Sequence, residues 1–340
     1  MINKIKPFFE IQNMKLIYKG TLFAVFVLFF STTCDIFTEH PTAVFEWQLD
    51  DNGKIIITGF RGCPDCEVII PEQINGNPVV AIGERVFVNK YLTRSVTIPD
   101  SVTSIGNFAF SGNLLTSVNI GNNVTTIGNS AFAGNRLISV IIPDSVISIE
   151  GSAFATNQLL NVTIPNSVIY IGQSAFMQNR LTNVNISENV TVIEDWAFTN
   201  NRLLSVTIPS SVISIGRNAF QQNSLTSVSI PDSVTHIGNA AFSSNHLSSI
   251  TLPNKVTSIG DLAFIGNQLT SITIPDSITS IGGSAFRNNY LTRIVIAANV
   301  DIGIDTFGFG FEAAYEENGR LAGTYTRPDT DSTTWIWNPK

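Results

Sequence analysis

The stretch Gln221–Phe242, QQNSLTSVSIPDSVTHIGNAAF, decides the fold, because the chain repeats it with small changes from residue 88 to residue 307. Each copy closes on a phenylalanine, at Phe87, Phe110, Phe132, Phe154, Phe176, Phe198, Phe220, Phe242, Phe264, Phe286 and Phe307. The first step is 23 residues, the last is 21, and every step between is 22. A fixed period in the twenties is the mark of a solenoid, in which each short coil buries its apolar side against the next. Such chains offer an extended surface more than a pocket, so the period points to binding rather than catalysis.

Counting from each Phe, position +5 is Leu (Leu115, Leu137, Leu159), position +8 is Val or Ile (Val118, Val140, Ile250) and position +10 is Ile or Leu (Ile120, Ile164, Leu252). Positions +8 and +10 are two apart, the strand period, so they share one side and +7 and +9 take the other. Each coil is thus expected to lend one short strand to a parallel sheet. Pro at +11, as in Pro143 and Pro209, lacks an N–H for the ladder and ends the strand. Val at +14, Ile at +17 and Gly at +18 mark the return path. The glycines, such as Gly128, Gly172 and Gly216, are expected in a backbone conformation closed to other residues, with Glu150 and Glu194 as exceptions. Asn at +3, from Asn113 to Asn289, sits among apolar anchors and reads as a structural ladder that bonds turn backbone.

Strands about 4.8 Å apart over some ten coils predict a sheet about 45 Å long. Its outward face is a nearly uncharged stripe that includes Asn161, Thr163, Asn183, Asn185, Ser205, Thr207, Ser227, Ser229, Ser249 and Thr251. These hydroxyls and amides are the candidate platform for a protein or glycan; the bland alternative is a solvated sheet face with no ligand. Beside it, at +4, run Arg136, Arg180 and Arg202, a basic rim able to pair with an acidic partner. His236 and His246 fall at variable positions and read as surface residues.

Only 13% of the 340 residues are charged, against an average near 25%, so Ser, Thr and Asn must make the polar surface. The net charge of −7 argues against nucleic acid, which needs clustered basic residues. Three cysteines and three histidines leave little for metal or catalysis, and no nucleophile elbow or triad spacing is visible. The chain therefore reads as a non-enzyme without a cofactor.

Residues 1–34 have the layout of an export signal: Lys15 and Lys19, the apolar run Leu22–Phe30, then Ser31-Thr32-Thr33. Met1 and Met14 both stand as the start of translation. Cys34 resembles the lipid-modified cysteine of bacterial lipoproteins, so free secretion and a lipid anchor both stand, and either takes the protein out of the cytoplasm. Residues 35–67 are expected to form a β-hairpin cap about Asn52-Gly53. Cys63 and Cys66 within it read as a small structural disulfide. Residues 68–307 form the solenoid, opening on a degenerate coil. Residues 308–340 form a second cap of two short strands, in which Tyr325, Trp335 and Trp337 offer a sugar-stacking alternative.

The pattern L-x-x-V-x-I-P-x-x-V-x-x-I-G-x-x-A-F-x-x-N resembles the BspA-like, or TpLRR, class of bacterial leucine-rich repeats over residues 68–307. The tail AYEENGRLAGTYTR is similar to that class too. The resemblance implies a right-handed leucine-rich-repeat-like coil stack with a parallel sheet on one face. It also implies a secreted or cell-surface protein that adheres to proteins or glycans of host or neighbouring cells. The alternative is a structural envelope or matrix component without a discrete ligand.

Overall fold

The computed structural model describes residues 45–62, 67–308 and 310–339. Cys34, Cys63 and Cys66, and the whole export signal, lie outside the described residues. The chain is a solenoid whose coils stack one upon the next through a single apolar core. The Leu at +5, the Phe and, from Ala109 to Ala285, the Ala before it are buried from coil to coil, as at Leu203, Ala197 and Phe198.

One strand per coil was the expectation; the structure has two ladders. The front ladder uses the residues foreseen, in three-residue strands such as Asn161–Thr163, Asn183–Asn185, Ser205–Thr207 and Ser227–Ser229. They pair in parallel and in register, Ser205 with Ser227 and Thr207 with Ser229. A back ladder runs along the return path in two-residue strands such as Ser214–Ile215, His236–Ile237 and Ser258–Ile259. Two-residue strands carry too little alternation to announce themselves in a sequence.

The expected single long sheet is also corrected. The front is broken into separate ladders, with no strand at residues 139–141 or 249–251 and no pairing between Asn183–Asn185 and Ser205–Thr207. At the break between Asn183–Asn185 and Ser205–Thr207, Leu204 N lies 3.5 Å from Thr182 O, past the usual length of a ladder bond. The back ladder is interrupted as well, between Tyr170–Ile171 and Val192–Ile193.

A third side ties the coils where each Phe sits. Phe110 N–H donates to Ala131 O at 2.7 Å and Phe198 N–H to Ala219 O at 2.9 Å. Two left-handed residues per coil flank this segment, for example Ser152 (φ 56°) and Thr156 (φ 56°). A left-handed non-glycine costs roughly 1–2 kcal/mol. Their amides offset it by bonding the next coil, Ser152 N to Gln173 O and Thr156 N to Met177 O, both at 2.8 Å.

The +18 glycines are needed for a different reason from the one expected. None of Gly128, Gly172 and Gly216 is among the positive-φ residues. A Cβ on Gly128 would instead lie 2.7 Å from Ile105 O and 2.8 Å from Asn107 N. The constraint is the close approach of the preceding coil's backbone.

The Asn ladder is structural. Asn201 Nδ2 donates to Phe176 O at 3.0 Å and Phe198 O at 3.1 Å, and its Oδ1 accepts from Leu181 N at 3.1 Å. One side chain thus satisfies groups of two adjacent coils.

Both ends are closed. Phe45–Leu49 and Ile55–Phe60 form the hairpin foreseen, and Ile55–Phe60 pairs in parallel with Asn77–Ile82 to start the back ladder. At the other end Gly323–Thr326 pairs antiparallel with Arg293–Ile296 and with Ile336–Pro339. A helix over Phe311–Glu317, unforeseen because seven residues are too few to show a period, packs Phe311 and Tyr315 on the last coil. Tyr325 and Trp335 are buried in this cap and are not a sugar platform.

Candidate binding faces

The alternation along each front strand places every candidate residue. In Ser205–Thr207 the central Val206 is buried and Ser205 and Thr207 are exposed. Asn161 and Thr163, Asn183 and Asn185, and Ser227 are exposed in their strands, as is Ser229. Ser249 and Thr251 are exposed as well, although their segment forms no ladder. The ten residues therefore share the front side, eight of them on two separate two-stranded ladders. Beside this row Thr182 Oγ1 donates to Asn161 Oδ1 at 3.4 Å. The surface thus keeps hydroxyls and amides available to an outside partner.

Arg136, Arg180 and Arg202 are exposed on the same edge. Each precedes a buried Leu, so the residues at +4 and +6 point outward together. His236 and His246 are exposed; His236 Nδ1 lies 3.1 Å from Ser258 Oγ.

The sequence reading missed the back. Two open clefts follow the glycine side, not the front stripe. One, of about 580 Å³, is lined by Asn107, Phe108, Asn129, Ser130, Gly151, Ser152, Tyr170 and Gln173. The second, of about 420 Å³, includes His236, Asp261, Ser280 and Asp301. A line of side-chain bonds runs here from coil to coil, with Asn107 Oδ1 accepting Asn129 N–H at 2.8 Å and Asp261 Oδ1 accepting Gly283 N–H at 2.8 Å. Partial burial raises the Tyr170 pKa, reinforced by the charges of Glu194 and Glu150. Those are the two glutamates standing in place of glycine, so the back carries an acidic stretch about Tyr170. The signal was present in the sequence, as the two departures from Gly at +18.

Among the described residues no group of three or more His, Cys, Asp or Glu is placed to hold a metal ion, and no helix is long and apolar enough to cross a membrane.

Comparison with known proteins accords with this geometry. A leucine-rich repeat protein from Bacteroides ovatus is 24% identical, covers 78% of this chain and 78% of its own, and superposes with a TM-score of 0.66. The pneumococcal vaccine antigen PcpA is 21% identical over 76% of this chain and 78% of its own, with a TM-score of 0.52. Both show the fold. The leucine-rich repeat protein of T. pallidum, TpLRR, is 25% identical over 60% of this chain and 87% of its own, with a TM-score of 0.47. No curated protein sequence matches. The family model for the BspA type leucine rich repeat region matches residues 80–205 and 197–309, in six copies. With most of its length covered by that model, and with the Phe, Asn and Leu ladders in place, the chain belongs to the BspA-type leucine-rich-repeat family.

Proposed function

We propose that the protein is a secreted or surface-displayed, non-enzymatic binding protein that holds a protein or glycan partner on its front face. The observation that carries this is the exposed, nearly uncharged row running through Asn161, Asn183, Ser205 and Ser227. Extended repeat surfaces are what solenoids use to bind. The row's hydroxyls and amides suit hydrogen bonding to a peptide backbone or a sugar, and the Arg136, Arg180 and Arg202 edge adds bidentate donors for acidic groups. The amino-terminal 34 residues serve export, with Cys34 as the site of a lipid anchor if one is attached; mass spectrometry of the mature amino terminus decides this. Residues 35–67 and 308–340 serve as caps for the 68–307 solenoid, and Cys63 and Cys66 as a disulfide in the first cap.

The test is binding of the purified protein to a panel of extracellular-matrix proteins and a glycan array. Saturable binding lost in the Ser205→Glu/Ser227→Glu double variant supports the reading. Binding to no member, or binding unchanged in the variant, overturns it.

A further inference from the structure

Two exposed rows break the composition of the repeat, and they break it in the same coils. In the coils that follow Phe110, Phe220, Phe242 and Phe264, positions +6 and +15 are Thr or Ser, as in Thr226 and Thr235. These threonines have a local role: Thr226 Oγ1 donates to Leu204 O at 3.4 Å and Thr235 Oγ1 to Ile213 O at 3.3 Å. In the four coils that follow Phe132, Phe154, Phe176 and Phe198 the +6 row reads Ile138, Leu160, Thr182, Leu204. The +15 row reads Ile147, Ile169, Thr191, Ile213. The order is apolar, apolar, Thr, apolar in both.

The apolar members are not core. Ile138, Leu160 and Leu204 are 51%, 44% and 57% exposed on the front edge, and Ile147, Ile169 and Ile213 are 47%, 58% and 51% exposed on the back. Each gives up the hydroxyl bond that Thr226 and Thr235 make in their coils, so the fold gains nothing visible from the exchange. Contiguous exposed apolar rows of this kind mark contact surfaces.

Charge follows the same coils. Position +4 on the front edge reads Arg136, Gln158, Arg180, Arg202, while position +18 on the back reads Glu150, Gly172, Glu194, Gly216. Arg stands on the front wherever Glu stands on the back; Arg202 alone has no match. Front against front would oppose arginines, and back against back would oppose glutamates. Front against back pairs them.

We propose that the front edge of one copy docks on the back of a second copy, the two solenoids lying side by side, pointing the same way, coil against coil. In that register every apolar residue meets an apolar residue, Thr182 meets Thr191, Arg136 meets Glu150 and Arg180 meets Glu194. A one-coil slip sets Leu160 against Thr191 and Arg136 against Gly172. Reversing one copy misplaces the threonines as well. The two solenoids share one coil pitch, so the rows stay matched along their length. The contact is heterologous and leaves a free front and a free back, so it extends past two copies, into a ring or an open array. Such an array gives the structural-component alternative a mechanism. It shares Arg136 and Arg180 with the ligand-binding reading but not Ser205 or Ser227, so the Ser205→Glu/Ser227→Glu variant, which leaves the docking rows intact, separates the two.

The test is sedimentation of the full chain at low ionic strength. The wild type is expected to exceed the mass of a dimer as concentration rises and to dissociate as salt screens the pairs. Arg136→Glu/Arg180→Glu and Glu150→Arg/Glu194→Arg are each expected to stay at the 36.9 kDa monomer mass. Mixed in equal amounts they regain complementary faces and are expected to associate again. Ile147→Thr/Ile169→Thr/Ile213→Thr, which installs the residue other coils use, is expected to remain monomeric with an unchanged melting temperature. A wild type monomeric at every concentration, a threonine variant that associates like wild type, or a mixture that stays monomeric overturns the proposal.

Discussion

Phe176 and Phe198, 22 residues apart in the chain, lie with ring planes 1° apart and centroids separated by 5.7 Å. Neighbouring pairs repeat the relationship: Phe198 and Phe220 at 5.5 Å and 8°, Phe154 and Phe176 at 5.6 Å and 9°. The stack passes into Phe60 at one end and Phe311 at the other. Ring centroids at this distance with near-parallel planes imply offset stacking, which stabilises the pair beyond simple area burial. A single apolar spine therefore joins both caps through every coil.

Removing one ring from the spine opens a cavity that touches two neighbours. Phe198→Ala is expected to lower stability by about 3–5 kcal/mol, read from denaturant unfolding of the purified protein. A loss near zero would place this ring outside the core.

Asn201→Ala strips donors from Phe176 O and Phe198 O and leaves the Leu181 N–H without its acceptor. A buried polar group left unsatisfied costs about 1–3 kcal/mol, so a destabilisation of that size is expected. Amide exchange should quicken at Leu181 more than at Leu247, whose N–H bonds Asn267 instead. Equal exchange at both would show that the ladder does not act coil by coil.

Gly238→Ala and Gly151→Ala separate the two explanations for the repeat glycines. A Cβ at Gly238 lies 2.7 Å from Gly216 C and 2.8 Å from Arg217 N, both backbone. At Gly151 the nearest atom is Asn129 Oδ1, the movable end of a side chain, at 2.9 Å. Gly238→Ala is expected to cost about 1–3 kcal/mol and Gly151→Ala much less. Equal costs would contradict the close-approach explanation.

The carboxy-terminal cap has its own alkaline limit. Burial pushes Tyr325 up to about 12, with a smaller effect of Tyr315. Because the folded value exceeds the ordinary value near 10, the stability tied to neutral Tyr325 is intact below pH 10. It drains as pH rises from about 10 through 12. Absorbance of tyrosinate should therefore rise with loss of cap structure in that window, and Tyr325→Phe should move the cap transition to higher pH. A transition unmoved by the substitution would assign it elsewhere.

The coil period, the buried Leu, Val, Ile and Phe positions, the Asn ladder and the exposed front row were all legible, because identical spacing turns one reading into ten. What was hidden depended on distances between coils. The back ladder has only two residues per strand, as at Ser214–Ile215, too few for alternation to register. Both ladders break between particular coils, the front between Asn183–Asn185 and Ser205–Thr207 and the back between Tyr170–Ile171 and Val192–Ile193, which no single repeat encodes. The role of Gly216 follows from Asp195 N lying 2.7 Å from where its Cβ would be, a contact across 21 residues. The acidic back about Tyr170 was written in Glu150 and Glu194, but only the fold sets them beside one another's coils.

The front face carries the proposed function, and binding of the Ser205→Glu/Ser227→Glu variant beside the wild type on immobilised matrix proteins and glycans tests it most directly. The expected result is a saturable isotherm for the wild type that disappears in a variant with the wild-type melting temperature. Identical isotherms for the two proteins, or none for either, would contradict it.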